Sequence, residues 1–130
     1  MEKLNRELLE AAKRGNTKSV EDLVARGANV NWKEKDGVSP LHVASAEGHT
    51  ETVSRLVSLG ADINIKDNMD GLSPLHWASV RGHTETVSRL VSLGADIHIK
   101  DVAGQTPYDV TKNDEIREIL KVGVLMSSYI

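Results

Sequence analysis

The chain has 130 residues, with 39% hydrophobic and 27% charged side chains and a net charge of −3, the composition of about one globular domain rather than of a disordered segment. With no cysteine, disulfide frameworks, thiolate zinc sites, iron–sulfur ligation and a cysteine nucleophile are excluded. Residues 1–35 hold eight Lys/Arg against six Asp/Glu and the remainder holds eight against thirteen, so neither part has the basic excess of a nucleic-acid binder. Met1 to Asn16 lacks the apolar run of a signal peptide, and no apolar run approaches the ~20 residues that cross a bilayer. These features predict a cytoplasmic chain with no membrane, nucleic-acid or cofactor partner.

Taken in chain order, residues 4–13 predict an amphipathic helix with Leu4, Leu8, Leu9, Ala11 and Ala12 on one face and Asn5 placed to cap it. A short helix carrying Val20 and Leu23 follows, then Gly27-Ala28-Asn29-Val30-Asn31. Ser39-Pro40-Leu41-His42 is a helix start, with the Ser39 hydroxyl over the first free N–H groups and Pro40 in the first turn. That helix ends near Glu47, where Gly48 permits a left-handed residue. Thr50 is the expected cap of the next helix, which places Val53, Leu56 and Val57 on one face and closes at Gly60. Ala61 to Asp70 is polar and rich in turn formers, and reads as a projecting hairpin or finger. Ser73, Pro74, Gly82, Thr84, Val87, Leu90, Val91 and Gly94 then repeat the plan. Thr106-Pro107-Tyr108-Asp109 opens a last unit, and Asn113 is placed to cap a helix from Asp114 to about Val122.

Residues 49–67 and 83–101 differ only at Asn64 against His98. The offset there is 34, but Gly71 to Gly104 is 33, so the basic period is 33 with one inserted residue in Asn68-Met69-Asp70. Such near identity marks a recent duplication or an engineered repetition, and both stay open. Isolated helices shorter than about 12–15 residues are marginal in water, so each pair must lean on the next, and Ala44, Ser45, Ala78 and Ser79 are small enough to let neighbours close in.

The Ser-Pro-Leu-His starts, the Gly-His pairs and the Gly-Ala-Asp-Ile-Asn stretches stand in order, and over about residues 5–121 the chain resembles the ankyrin-repeat family. The resemblance implies an all-α solenoid of stacked helix–turn–helix units with projecting β-hairpin-like fingers. It divides a single domain, 1–130, into an N-terminal capping unit (1–33), two repeats (34–66 and 67–100), a C-terminal capping unit (101–121) and an apolar tail (122–130). It also implies a non-catalytic module that binds a protein partner through a concave face made by fingers and inner helices. Asn31 and Asn64 are turn amides on a local reading; the resemblance adds hydroxylation by an asparaginyl hydroxylase.

His42, His49, His76 and His83 recur with the unit, at separations unlike a helical zinc pair, and are expected to lock turns through hydrogen bonds. His98 reads as a tolerated loop substitution, with a local pH-sensitive contact as a further option. Asp62, Asp67, Asp96 and Asp101 read as turn makers. Trp77 stands where the first repeat has Val43 and is expected in the core. Trp32, aligned with Ile65 and Ile99, is expected either to stack between fingers or to anchor a partner.

Identical positions serve the stack, whereas positions that differ between units are free to serve a partner. The protein-binding candidates are therefore Trp32, Lys33, Lys35, Val38, Ala46, Glu47, Met69, Asp70, Leu72, Val80, Arg81 and Val102. Val38, Leu72 and Val80 would form an apolar strip rimmed by Lys33, Lys35, Glu47 and Arg81. The tail, with Val124, Leu125, Met126, Tyr129 and Ile130, suggests a lid over the end of the stack or, alternatively, a strand that docks a partner or joins copies of the chain into homo-oligomers, with a disordered segment as a third reading.

Overall fold

The computed structural model describes the backbone of residues 1–128 and the side chains of residues 1–121. Among the described residues eight helices follow one another: α1 (Glu2–Arg14), α2 (Thr17–Ala25), α3 (Pro40–Ala46), α4 (Thr50–Ser58), α5 (Pro74–Arg81), α6 (Thr84–Ser92), α7 (Pro107–Val110) and α8 (Asp114–Ser128). Odd-numbered helices pack in an inner row, α1 on α3, α3 on α5 and α5 on α7. Even-numbered helices form an outer row, α2 on α4, α4 on α6 and α6 on α8. Leu8, Val20, Leu41, Val53, Leu56, Leu75, Val87, Leu90, Ile116 and Leu120 are fully buried between the rows. Burying each such side chain stabilises the stack by about 1.5–3 kcal/mol, which is how helices too short to persist alone are held.

The helix starts follow from local chemistry. Ser39 Oγ accepts from His42 N and Ser73 Oγ from His76 N, while each imidazole reaches back to the cap's own backbone. Thr106 and Asp109 make the same reciprocal pair, and Asn113 Oδ1 accepts from Ile116 N at 3.0 Å. Two expected caps are corrected. Asn5 does not cap α1, which begins at Glu2; it is buried in the helix, and its Oδ1 accepts from Asn29 N at 2.7 Å. Thr50 is the first residue of α4, with His49 at the cap, and the Thr50 hydroxyl instead meets that of Thr86 at 2.8 Å.

The fingers are not β-hairpin-like: no strand is present among the described residues. Asx turns curl each loop, with Asn31 N donating to Asn29 Oδ1, Asn64 N to Asp62 Oδ1 and His98 N to Asp96 Oδ1. Further out, Asp67 Oδ1 takes the N–H groups of Asp70 and Leu72, and Asp101 Oδ1 those of Ala103 and Gln105. Side-chain carboxylates thus take up donors that a ladder would need. Each finger closes on a bond across its tip, Glu34 N to Val38 O, Asp67 N to Leu72 O and Asp101 N to Gln105 O, with Gly37 N to Glu34 O and Gly104 N to Asp101 O as turn bonds in the first and third. Consecutive fingers are tied by Asn68 N to Asp36 O and Val102 N to Asp70 O.

Candidate protein-docking surface

The second finger ends at Leu72, just before the cap of α5, and the third ends at Gln105, just before the cap of α7. Between them lies a groove of about 280 Å³ lined by Asp70, Leu72, Val80, Asp101, Val102, Ala103, Gln105 and Val110. Val80 and Val102 are 55% and 76% exposed, so one concavity holds two aliphatic side chains open to solvent. Leu72 and Val110 are half-buried. Met69 is exposed on the second finger. Six residues that vary between units line this one groove: Asp70, Leu72, Val80 and Val102 from the candidates above, with Ala103 and Gln105. Asp101 and Val110 line it too and were missed. Asp101 was legible only as a turn maker, but Val110 occupies the position of Val43 and Trp77, a signal that the repeat alignment already held.

The other candidates fall elsewhere. Val38 and Ala46 are buried, at 8% and 4% exposure, so neither offers a side chain to a partner. Ala46 is covered by the next unit, whose His83 Nε2 donates to its carbonyl at 2.8 Å. Val38 sits in the closure of the first finger, its carbonyl taken by Glu34 N and its N–H by Asp36 Oδ1. The continuous strip Val38–Leu72–Val80 is therefore not exposed along its length. Glu47 and Arg81 pair with each other at 3.5 Å. Lys33 and Lys35 are exposed on the first finger, beside a separate charged hollow lined by Arg6, Glu34, Lys35 and Asp36. Trp32 is half-buried there, with the Arg6 guanidinium 5.4 Å from its ring centre and Glu34 3.6 Å from the same guanidinium. One route to the indole is thus occupied by a cation from the chain itself. The side chains of Val124, Leu125, Met126, Tyr129 and Ile130 lie outside the described residues.

Trp77 is half-buried rather than fully in the core. Its Nε1 donates to Asp67 Oδ2 at 3.1 Å, and its ring stands edge-on to His42. Burial pushes the Asp67 carboxyl up, but hydrogen bonds from Leu72 N, Trp77 Nε1 and Asp70 N outweigh it and hold the group below its ordinary 3.8.

Ser39 Oγ lies 2.9 Å from His42 Nδ1, the spacing of a nucleophile and its base. Both groups are buried, and the remaining contacts define a different role. Nδ1 also accepts Ser39 N–H at 3.1 Å, and Nε2 faces the Leu72 carbonyl at 2.8 Å, so Nε2 carries the proton and the ring is neutral. His76 repeats this with Ser73 and the Gln105 carbonyl. Burial lowers both imidazoles below the usual histidine value, despite the carbonyls that favour the cation. Each ring therefore ties the start of an inner helix to the end of the finger that follows. His49 Nε2 and His83 Nε2 donate to Lys13 O and Ala46 O, joining consecutive units.

Asn31 and Asn64 serve the following unit, not only their own turn. Asn31 Oδ1 accepts from Asp62 N at 2.7 Å and Asn64 Oδ1 from Asp96 N at 2.8 Å. Among the described residues no three His, Asp or Glu side chains are grouped to hold a metal ion, and no helix is long and apolar enough to cross a membrane. A family model described as ankyrin repeats in three copies matches residues 8–101. A search of curated proteins found no match.

Proposed function

The chain belongs to the ankyrin-repeat family, and from that premise we propose that it captures a protein partner on its concave face, between the second and third fingers. Ankyrin-repeat domains are non-catalytic modules of protein–protein interaction, so the function is recognition and not chemistry. The observation that carries the choice of face is the convergence of Asp70, Leu72, Val80 and Val102 on one groove with two aliphatic side chains left open to solvent. The mechanism is preorganisation: histidine and asparagine bonds fix each finger before a partner arrives, so little ordering cost falls on binding. We place the protein in the cytoplasm, in keeping with a chain that has no cysteine.

Photo-crosslinking in extracts of the source cell tests this reading. A benzophenone side chain at Val80 should yield discrete protein adducts, and one at the exposed Ser88 of the outer helix α6 should not. Adducts from Ser88 alone, or none from Val80, would refute it.

A second reading has its own observation. Ile97, His98, Thr106, Tyr108, Leu120 and Lys121 line a largely apolar hollow at the C-terminal end of the array, a surface on which copies of the chain could associate. Mass in solution that rises with concentration would favour this homo-oligomer over capture of a foreign partner.

A further inference from the structure

We propose that the groove between the second and third fingers selects a linear cationic segment, an aliphatic side chain seated against Val80 and Val102 with lysine or arginine on either side. The inference rests on the reading of this groove as the docking site and adds the chemistry of its occupant. The groove has an apolar wall and an acidic rim. Val80, Val102, Leu72 and Val110 supply the wall, and Asp70 and Asp101 stand with them. No lysine or arginine lines it.

Two cations near the groove already have partners within the chain. Arg81 pairs with Glu47 at 3.5 Å, and Lys66 Nζ donates to Lys100 O at 2.9 Å. Among the described residues, the Asp70 carboxylate accepts no hydrogen bond and forms no ion pair, although its backbone is used on both sides. The Asp101 carboxylate is held in place by the N–H groups of Ala103 and Gln105, at 2.9 Å each.

An apolar segment without charge would cover Val80 and Val102 while stripping water from the Asp70 carboxylate, which has no partner among the described residues, and from the Asp101 carboxylate, whose charge is met only by two backbone N–H groups. An acidic segment would meet like charge at close range. A cationic flank answers both terms: it pairs with Asp70 and Asp101 and leaves the aliphatic residue free to fill the groove. The same acidic rim repels a phosphate backbone.

The test is selection from a phage-displayed library of random linear peptides on the immobilised protein, on Asp70→Lys and on Leu72→Lys/Val80→Lys, each checked for its helical spectrum. The proposal expects enriched peptides in which an aliphatic residue neighbours lysine or arginine. A synthetic peptide of the enriched sequence should bind Asp70→Lys at least about tenfold more weakly, lose binding to the double variant, and weaken as salt is raised. Enriched peptides without basic residues that still fail on the double variant would overturn the cationic preference and leave the docking face standing. Basic peptides that keep their affinity for the double variant would overturn both. No enrichment on the native protein would overturn the claim that the groove takes a linear segment.

Discussion

Asn5 Oδ1 accepts the backbone N–H of Asn29 at 2.7 Å, across the first unit of the stack. The bond is the first rung of a series: Asn31 to Asp62 N and Asn64 to Asp96 N repeat it at 2.7 and 2.8 Å. In each rung an amide from one unit satisfies the residue after Gly-Ala in the next loop. In the first unit no preceding loop exists within the described residues, and a helical asparagine takes over the role. Asn5→Ala should lower stability by about 1 kcal/mol, the worth of one such bond, read as an earlier urea midpoint with unchanged slope. An unaltered midpoint would show that the rung carries nothing.

His42 and His76 make stability depend on acidity in a defined direction. Burial keeps both imidazoles neutral in the folded chain, below the 6.5 of the free side chain. As pH falls through 6.5 the unfolded chain takes up protons first, so the folded state loses stability from there downward. Urea midpoints measured from about pH 7.5 to about pH 5 should fall steadily on the acid side. A flat profile would contradict the neutral, Nε2-protonated rings. The depressed Asp67 and Asp109 carboxyls act in a separate window, losing their contribution only as pH drops below 3.8.

Ser45 and Ser79 place buried hydroxyls in the inner helices with no hydrogen-bond partner among the described residues. An orphaned buried hydroxyl costs free energy that a methyl group does not. Ser45→Ala and Ser79→Ala should each raise stability, by about 1 kcal/mol, and leave binding at the groove unchanged. A lower thermal midpoint in either variant would reveal a bond from these hydroxyls.

Gly48 and Gly60 separate two costs that a substituted glycine can carry. Both have positive φ, 74° and 104°. A Cβ on Gly48 would lie 2.7 Å from the His83 ring, whereas one on Gly60 would meet nothing within 4 Å. Gly48→Ala must therefore pay for strain and also displace the imidazole that donates to Ala46 O. It should destabilise more than Gly60→Ala, for which about 1–2 kcal/mol of left-handed strain is the whole cost. Equal losses would mean that the ring yields freely.

The sequence exposed the features that depend on neighbours along the chain. Ser39-Pro40, Ser73-Pro74 and Thr106-Pro107 announce helix starts because a cap and its first turn are local chemistry, and Asn113 was placed on the same ground. Asn5 looks like a cap in the sequence because its true partner is 24 residues away. One signal was present: Asn5, Leu8 and Ala12 fall on a single buried stripe, where a polar residue demands a partner. The fingers were expected to pair as hairpins because turn-rich segments of that length often do, but their own aspartates compete for the backbone donors. At the surface, variation between units picks out Asp70, Leu72, Val80 and Val102, which line one groove, and also Val38 and Ala46, which are buried. Difference between units shows that a side chain is free to change, and a buried position at a finger closure or under the next unit's histidine has that freedom too.

Amide hydrogen exchange of the protein, alone and with the partner captured through position 80, tests the docking face most directly. The account predicts slowed exchange in the second and third fingers, at residues 67–72 and 101–105, and little change in α2, α4 and α6. Protection confined to those outer helices, with both fingers exchanging as in the free protein, would contradict it.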